Sequence, residues 1–295
     1  MKILHRNARM RTGAVARITL TAMFLATAVV AGSSASPAAA AITPIGLDTE
    51  SGNFFPAFGQ TTVEGTVSCP AGMSVVSAGA GGVILDTLRA VNGTLVNATG
   101  RITAPGDALT VTATCAPIQQ LGTVRSIEQE FPSNGHTFRR GVLSCPAGFY
   151  AYGGGGFYRG SNHGTSSNGR NMVSNTPSAD GTGWTFAGTD NVLSDTLVIT
   201  TQCAQMASPR RDFIAQSGAQ SISGNFVGGF ADCPAGWTAI SGGVYLTNAN
   251  GTEAPGRTAW SIPSSHLGGN RSWFALGMAD SAANTKTVTL AQCII

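Results

Sequence analysis

Six cysteines are the residues of this sequence whose type and spacing most directly indicate chemistry. Three of them open a Cys-Pro-Ala-Gly motif, and the other three close strand-like runs such as ALTVTATC. An even number of cysteines in an exported chain indicates disulfides, and the repetition of the motif favours one bridge within each repeat. The predicted pairs are Cys69 with Cys115, Cys145 with Cys203, and Cys233 with Cys293.

Zinc binding is the competing role for these cysteines. No two of them have the short spacing of zinc ligands, and no histidine flanks them. The acidic residues likewise form no calcium-loop pattern. We therefore expect disulfides, with no metal ion and no cofactor.

Residues suited to catalysis are scarce after the first 41 residues. The three histidines there, His136, His163 and His266, lie at non-equivalent places, and neither a His-Glu-x-x-His nor a Gly-x-Ser-x-Gly motif is present. Asp190 and Asp195 are interpreted as a solvated pair in a turn. A Ser-His-Asp triad assembled from distant residues stays open, because geometry and not spacing defines it. No catalytic residue is predicted.

Two residues are candidates for binding a ligand, Trp260 and His163. Trp184 and Trp273 recur at matching distances before the closing cysteines, and Trp237 aligns with the residue after the Cys-Pro-Ala-Gly turn of the other repeats. These three are assigned to packing. Repetition does not require Trp260, and an exposed aromatic ring is suited to stacking on a sugar or anchoring a partner.

The elements that must position these residues follow an export signal. Several basic residues precede the apolar run ITLTAMFLATAVVAG, and the small-residue stretch SSASPAAAA comes after it. This succession is typical of a secretory signal peptide, whereas a transmembrane anchor needs a longer apolar run of about 20 residues. We predict a signal peptide over residues 1–41, cleaved after Ala40 or Ala41, and a secreted, extracellular mature chain.

The charge of the mature chain differs from that of the whole sequence. The predicted signal carries five of the 17 basic residues and none of the 14 acidic ones, so the formal net charge of +3 becomes about −2. With one lysine left and no basic stripe, no nucleic-acid partner is expected. No second long apolar segment follows, so membrane insertion of the mature chain is not expected either.

Residues 42–295 are predicted to form one all-β domain of three repeats, at about 45–118, 122–206 and 211–295. The 39 glycines and the low charged fraction of 11% are typical of a turn-rich β protein. The connectors between the repeats are too short to act as flexible linkers. One three-lobed domain is therefore expected rather than three independent ones.

The strand pattern is clearest before the closing cysteines. In ALTVTATC, at 108–115, apolar residues alternate with threonines, which is the period of two of a half-buried strand. In the third repeat Val288 and Leu290 are out of step with Cys293. This mismatch predicts a one-residue bulge there.

Glycine-rich stretches follow the Cys-Pro-Ala-Gly motifs, as in CPAGFYAYGGGG. Glycine tolerates positive φ and lets another backbone approach closely, so the pattern predicts a tight turn and then a strand in a crowded corner between sheets. A phosphate-binding loop is the alternative, but neither a Lys-Ser/Thr pair nor a helical pattern follows the glycines.

Three units that open with Cys-Pro-Ala-Gly and close with a strand ending in Cys resemble the repeat of many secreted bacterial proteins and of some phage-tail and pilus adhesin tips. More distantly they resemble the vitelline membrane outer layer protein family. That resemblance implies three Greek-key sheets in a β-prism with internal pseudo-three-fold symmetry. The predicted fold is accordingly all-β and β-prism-like, with one disulfide per repeat.

The predicted function is that of an exported, non-enzymatic binding protein. Its surface is expected to be rich in Asn, Ser, Thr and Gly and low in charge, which suits a glycan or another cell-surface polymer as the partner. A structural envelope or coat protein is the first alternative, and an exported hydrolase the second, so enzymatic activity stays open. The sequence does not indicate an oligomeric state.

Overall fold

Alternating apolar and polar residues produce strands along most of the chain, as the pattern predicts. The computed structural model describes residues 45–160, 170–205, 213–217, 220–223, 226–248, 261–269, 271–278 and 285–295. The predicted signal peptide, Trp260 and His163 lie outside these residues.

The strands fall into three successive sets, one for each predicted repeat. The first set comprises β1 (Asp48–Phe54), β2 (Thr62–Ser68), β3 (Met73–Gly81), β4 (Ile84–Val91), β5 (Leu95–Arg101) and β6 (Leu109–Pro117), followed by the short helix α1 (Ile118–Leu121). The second comprises β7 (Thr123–Phe131), β8 (Phe138–Ser144), β9 (Tyr150–Arg159), β10 (Asn171–Pro177), β11 (Gly183–Thr189) and β12 (Thr196–Gln205). The third comprises β13 (Phe213–Ser217), β14 (Gln220–Ser223), β15 (Phe226–Asp232), β16 (Thr238–Asn248), β17 (Ser261–Leu267), β18 (Ser272–Met278) and β19 (Thr285–Ile294).

Three antiparallel sheets form by exchange of strands between the sets. Sheet A has the order β1-β6-β3-β17-β18-β15-β14, sheet B the order β2-β5-β4-β9-β12-β7, and sheet C the order β13-β19-β16-β10-β11-β8. In each sheet the strand that follows a Cys-Pro-Ala-Gly motif pairs with a strand of another set: β3 with β17, β9 with β4, and β16 with β10. This cyclic exchange gives the all-β domain the prism-like, pseudo-three-fold organisation that the repeats predict.

The three predicted disulfides are present, and each bridges two sheets. The Cys69–Cys115 bridge joins sheets B and A, Cys145–Cys203 joins C and B, and Cys233–Cys293 joins A and C. The Cα atoms of each pair are 5.7 Å apart, a normal disulfide separation. Each repeat is thus cross-linked internally, and the three bridges together connect every pair of sheets.

The Cys-Pro-Ala-Gly motifs form the predicted tight turns. Gly72, Gly148 and Gly236 have φ of 81°, 82° and 84°. In the first turn the Met73 amide donates to the Pro70 carbonyl at 3.1 Å, and the other two turns repeat this bond. Glycine is needed here because the third position of a type II turn has positive φ.

The glycines of the following strands permit the junctions between sets. A Cβ atom on Gly79 would lie 2.7 Å from the Cβ of His266, and one on Gly155 would overlap the carbonyl oxygen of Leu88. A Cβ atom on Gly243 would lie 2.2 Å from the carbonyl oxygen of Asn175. These three junction glycines hold the same register position in β3, β9 and β16. Close backbone packing therefore explains them, but the packing is between neighbouring strands of one sheet, where two sets meet, and not at the predicted corner between sheets.

The bulge predicted near Cys293 is on the partner strand instead. The register between β16 and β19 shifts between Ala239 and Ser241, whereas β19 continues without interruption. Val288 and Leu290 lie on the outer face of β19. The inner face, which carries Cys293, is occupied at these positions by the buried Thr287 and Thr289. Their hydroxyls donate to carbonyls of β15, which makes a polar residue acceptable there.

Candidate functional site

The predicted ligand-binding residues Trp260 and His163 lie outside the described residues, so their roles stay predictions. The described residues provide other candidate binding sites. These candidates form three surface clefts, one on the outer face of each sheet. In sheet B this face is identified by β2, where Glu64 and Thr66 are exposed while Val63 is buried. Cleft A has a volume of about 200 Å³, cleft B about 190 Å³ and cleft C about 300 Å³.

Strand register shows that the three clefts are equivalent. Each is flanked by the two residues that neighbour a junction glycine across the sheet. On one side these residues are His266 in cleft A, Arg89 in cleft B and Thr176 in cleft C. On the other side they are Thr112, Thr200 and Leu290. A missing side chain at the glycine thus leaves a depression at the same place in every sheet, and the flanking residues decide its chemistry.

A row of aromatic rings begins at His266, which lines cleft A, and extends across the sheet beside the cleft. Phe230, Phe274 and His266 lie opposite one another on β15, β18 and β17. The two phenylalanine rings have centres 4.9 Å apart, and the His266 ring is 5.4 Å from that of Phe274. Phe230 is 53% exposed although it is a large apolar residue. The row is therefore an aromatic surface that water can reach.

Polar groups continue this row beyond the junction glycine. Thr112 and Ser51 follow on β6 and β1, and in the next row the Thr110 hydroxyl donates to the Asn53 side-chain oxygen at 2.8 Å. The Nδ1 atom of His266 lies 3.0 Å from the Leu267 carbonyl, so it carries the proton and Nε2 is left as an acceptor in the neutral ring. Aromatic rings followed by hydroxyl and amide groups can stack on and hydrogen-bond a sugar.

Cleft B is charged. Arg89 stacks on the Phe157 ring with its guanidinium carbon 3.9 Å from the ring centre. Arg159 pairs with Glu128 at 2.9 Å and with Glu130, both on β7. Glu128 and Arg89 both line the cleft, which therefore presents charges of both signs.

Cleft C is the least polar of the three clefts at the position next to its junction glycine. Leu290 takes the place that threonine has in the other two clefts, and the Thr176 hydroxyl donates to the adjacent Pro177 carbonyl at 3.2 Å. Arg140 and Tyr245 line it as well, and both have interaction partners. Cleft C thus lacks the aromatic row of cleft A.

Asp190 and Asp195 do not form the predicted solvated turn pair. Both are buried beside the buried Arg170, whose Nε lies 3.4 Å from Asp190 and whose terminal nitrogen pairs with Asp195. Arg139, also buried, donates to the Asp195 carbonyl. The prediction is wrong because Arg170, at least 20 residues away in sequence, pairs with both carboxylates and compensates their charge.

A third aspartate extends this buried network into the first set of strands. Asp86 pairs with Arg101 at 3.1 Å, and Arg101 donates to the Arg170 carbonyl at 2.9 Å. One carboxylate oxygen of Asp86 has no hydrogen-bond partner among the described residues. Burial raises the pKa of Asp86 to about 7, although Arg101 acts in the opposite direction. The network links the first two sets of strands but opens into none of the three clefts.

Comparisons with known proteins supply no family for this chain. No protein-family model matches it. No curated protein matches it either. The function must therefore be argued from the clefts themselves.

The described residues limit the chemistry of the site in two ways. No group of three or more His, Cys, Asp or Glu among them is arranged to hold a metal ion. The lining of cleft A contains His266 but no carboxylate.

Three disulfides are typical of proteins from oxidising, extracellular surroundings. Within the part of the chain that the structure describes, no helix is long and apolar enough to cross a membrane.

Sequence reasoning did not single out Arg89, Phe230 and Phe274 as site residues. Each follows the alternation of its strand and carries no motif, so nothing distinguishes it locally. The available signal was the shared position of Gly79, Gly155 and Gly243 in the three aligned repeats. A repeated glycine in a strand marks a close backbone approach, and its cross-strand neighbours are where a surface depression forms.

Proposed function

We propose that the protein is an exported, non-enzymatic binding protein that recognises a glycan or another cell-surface polymer through cleft A. The observation that carries the proposal is the aromatic row of Phe230, Phe274 and His266 beside the hydroxyl groups of Thr110 and Thr112. Ring faces bind the apolar face of a sugar, and hydroxyls and amides bind its edge.

The scaffold supports this role. The strands that carry the row are paired on both sides, and the buried ring of Trp273 on β18 packs beneath the same sheet. Binding residues on such a rigid sheet lose little freedom when a ligand docks. The predicted signal peptide and the three disulfides support an extracellular place of action.

The experiment is a glycan-array screen of the mature protein, followed by calorimetry with any glycan that binds. Phe230→Ala should weaken binding about tenfold, or roughly 1.4 kcal/mol, because one stacking ring is lost. The melting temperature should stay nearly constant because the side chain is half exposed. The bound glycan should be recovered uncleaved.

The matched control is Val142→Ala. Val142 is 45% exposed and holds on β8 of sheet C the position that Phe230 holds on sheet A. Its truncation should leave glycan binding unchanged. Equal losses for both variants, or no glycan bound by the unaltered protein, would contradict the proposal.

A structural coat protein is the second candidate, and one observation favours it. In the loop between β1 and β2, Phe55 is 68% exposed and Phe58 is fully exposed. Apolar side chains in such a position are suited to contact between molecules. Concentration-dependent assembly of the mature protein, abolished by Phe58→Ser, would favour this candidate, whereas a monomer at all concentrations would exclude it.

A further inference from the structure

Arg89 in cleft B is a cation that the described part of the chain leaves unmatched. Its Nε is buried and has no hydrogen-bond partner among those residues, while its guanidinium stacks on Phe157. Burial lowers the pKa of Arg89, and the nearby Glu128 and Glu64 offset this effect only in part. A cation that is partly withdrawn from water and stacked on a ring gains from an anion that docks against its guanidinium.

The nearby carboxylates do not serve this purpose. Arg159 holds Glu128 at 2.9 Å and pairs with Glu130 as well. The Asn97 amide donates to Glu64 at 2.9 Å. Each acidic neighbour of Arg89 thus has another partner, and the direct contact shown for the Arg89 guanidinium is its stacking on Phe157.

We infer that cleft B binds the carboxylate of an acidic sugar, a uronic acid residue within a glycan, and that Arg89 is the group that pairs with it. This inference rests on the proposed glycan-binding function and names a second site with its own sugar class. A guanidinium fork matches a carboxylate in geometry and binds it through two parallel hydrogen bonds.

The other groups of the cleft select a sugar acid over a bare inorganic anion. Glu128 lines the cleft and repels a multiply charged ion such as sulfate, but it accepts hydrogen bonds from sugar hydroxyls. The Ser126 hydroxyl, 2.5 Å from the Gln202 side-chain oxygen, and Thr200 add further polar contacts. A carboxylate and several hydroxyls on one ring satisfy both kinds of group.

The size of the cleft fits one sugar residue. Its volume of about 190 Å³ lies below the roughly 300 to 1,000 Å³ of pockets for drug-sized ligands. The openness of a sheet surface lets the rest of a chain continue past the bound residue. Clefts A and B hold equivalent places on different sheets.

The test is calorimetry of the mature protein with three probes: galacturonic acid oligomers, neutral galactose oligomers of equal length, and sulfate. The acidic oligomers should bind at least tenfold more tightly than the neutral ones, and sulfate should not compete. Arg89→Met, which keeps an unbranched side chain but removes the charge, should abolish that preference. Because it also removes the buried Nε–H that has no acceptor among the described residues, the melting temperature should stay the same or rise.

Thr176→Val is the matched control, since Thr176 holds the position of Arg89 in cleft C and should not affect acidic oligomers. Arg89→Lys should restore part of the preference, because it keeps the charge without the fork. The inference is overturned if acidic and neutral oligomers bind alike, if sulfate competes, or if Arg89→Met retains the preference. If neutral oligomers still bind and Phe230→Ala still weakens that binding, the proposed function of cleft A stands although the acidic-sugar site in cleft B is refuted.

Discussion

The indole of Trp184 lies directly over Gly154. A Cβ atom on that glycine would be 2.5 Å from the ring, and the indole Nε1 donates to the Asn175 side-chain oxygen at 2.6 Å. Trp273 repeats the arrangement over Gly242, with a serine hydroxyl as the acceptor at 3.1 Å. The large ring and the missing side chain are therefore two parts of one packing solution, used in the second and third repeats.

Truncating one of these rings should destabilise the fold without altering a cleft. Trp273→Ala removes a side chain that is 1% exposed, so the free energy of unfolding should fall by about 3 to 5 kcal/mol. Urea unfolding measures the loss. Phe230→Ala should lower the free energy of unfolding far less, because Phe230 is half exposed. A similar loss for both variants would refute the assignment of Trp273 to core packing.

The junction glycine of sheet B should not tolerate a methyl group. Gly155→Ala places a Cβ against the backbone of β4, which cannot move aside without breaking the sheet, so we expect a loss of about 3 kcal/mol or more. Gly46→Ala is the control, because nothing lies within 4 Å of the added atom. Equal stability of the two variants would show that the junction is not closely packed.

Much of the architecture could be predicted from the chain because it depends on repeated local signals. The Cys-Pro-Ala-Gly turns, the alternation in ALTVTATC and the cysteine order each predict one feature directly, and repetition extends it to three sheets. The buried positions of Asp190 and Asp195 could not be predicted, since Arg170, just before β10, pairs with both and Arg139 on β8 donates to the Asp195 carbonyl. Charge burial depends on tertiary neighbours, and a sequence window does not contain them.

The clefts were missed for a related physical reason. Arg89 and His266 alternate with apolar residues like any exposed strand residue, and they become neighbours of a glycine only through pairing between different repeats. By strand register, Val96 holds in the first repeat the place that Trp184 and Trp273 hold in the other two. Register between distant strands depends on the whole fold.

The bridges should contribute strongly to stability. Replacing Cys145 and Cys203 by serine opens a loop of 58 residues, so the chain-entropy model gives a loss of about 4 kcal/mol. Chemical unfolding under non-reducing conditions measures it. Peptide mapping of the unaltered protein should recover Cys145 joined to Cys203, and a bridge between Cys115 and Cys145 would contradict the pairing.

Export should produce a defined amino terminus. Because the small-residue run ends at Ala40 and Ala41, the secreted protein should begin at Ala41 or Ile42. Intact mass and amino-terminal sequencing of the secreted product decide it. A membrane-bound product that retains residues 1–30 would contradict the signal-peptide prediction.

Asp86 should make the protein more stable in mild acid than at neutral pH. Burial raises the pKa of Asp86 from 3.8 to about 7, so between these values the folded state binds a proton that the unfolded chain has released. Stability then falls as pH rises through this window, by at most about 4 kcal/mol, at about 1.4 kcal/mol for each pKa unit. Burial also raises the pKa of Asp190, which acts in the same direction.

Thermal unfolding from pH 4.5 to 8 tests this dependence in the unaltered protein and in Asp86→Asn. The amide resembles the protonated acid in shape and cannot ionise, so the variant should lose most of the decline toward neutral pH. Asp180→Asn is the control, because hydrogen bonds from Ser178 and Thr182 lower the pKa of this mostly exposed carboxyl and confine its effect to more acidic pH. An unchanged decline in Asp86→Asn would mean that Asp86 stays ionised in the fold, held by Arg101, and that another group titrates in this window.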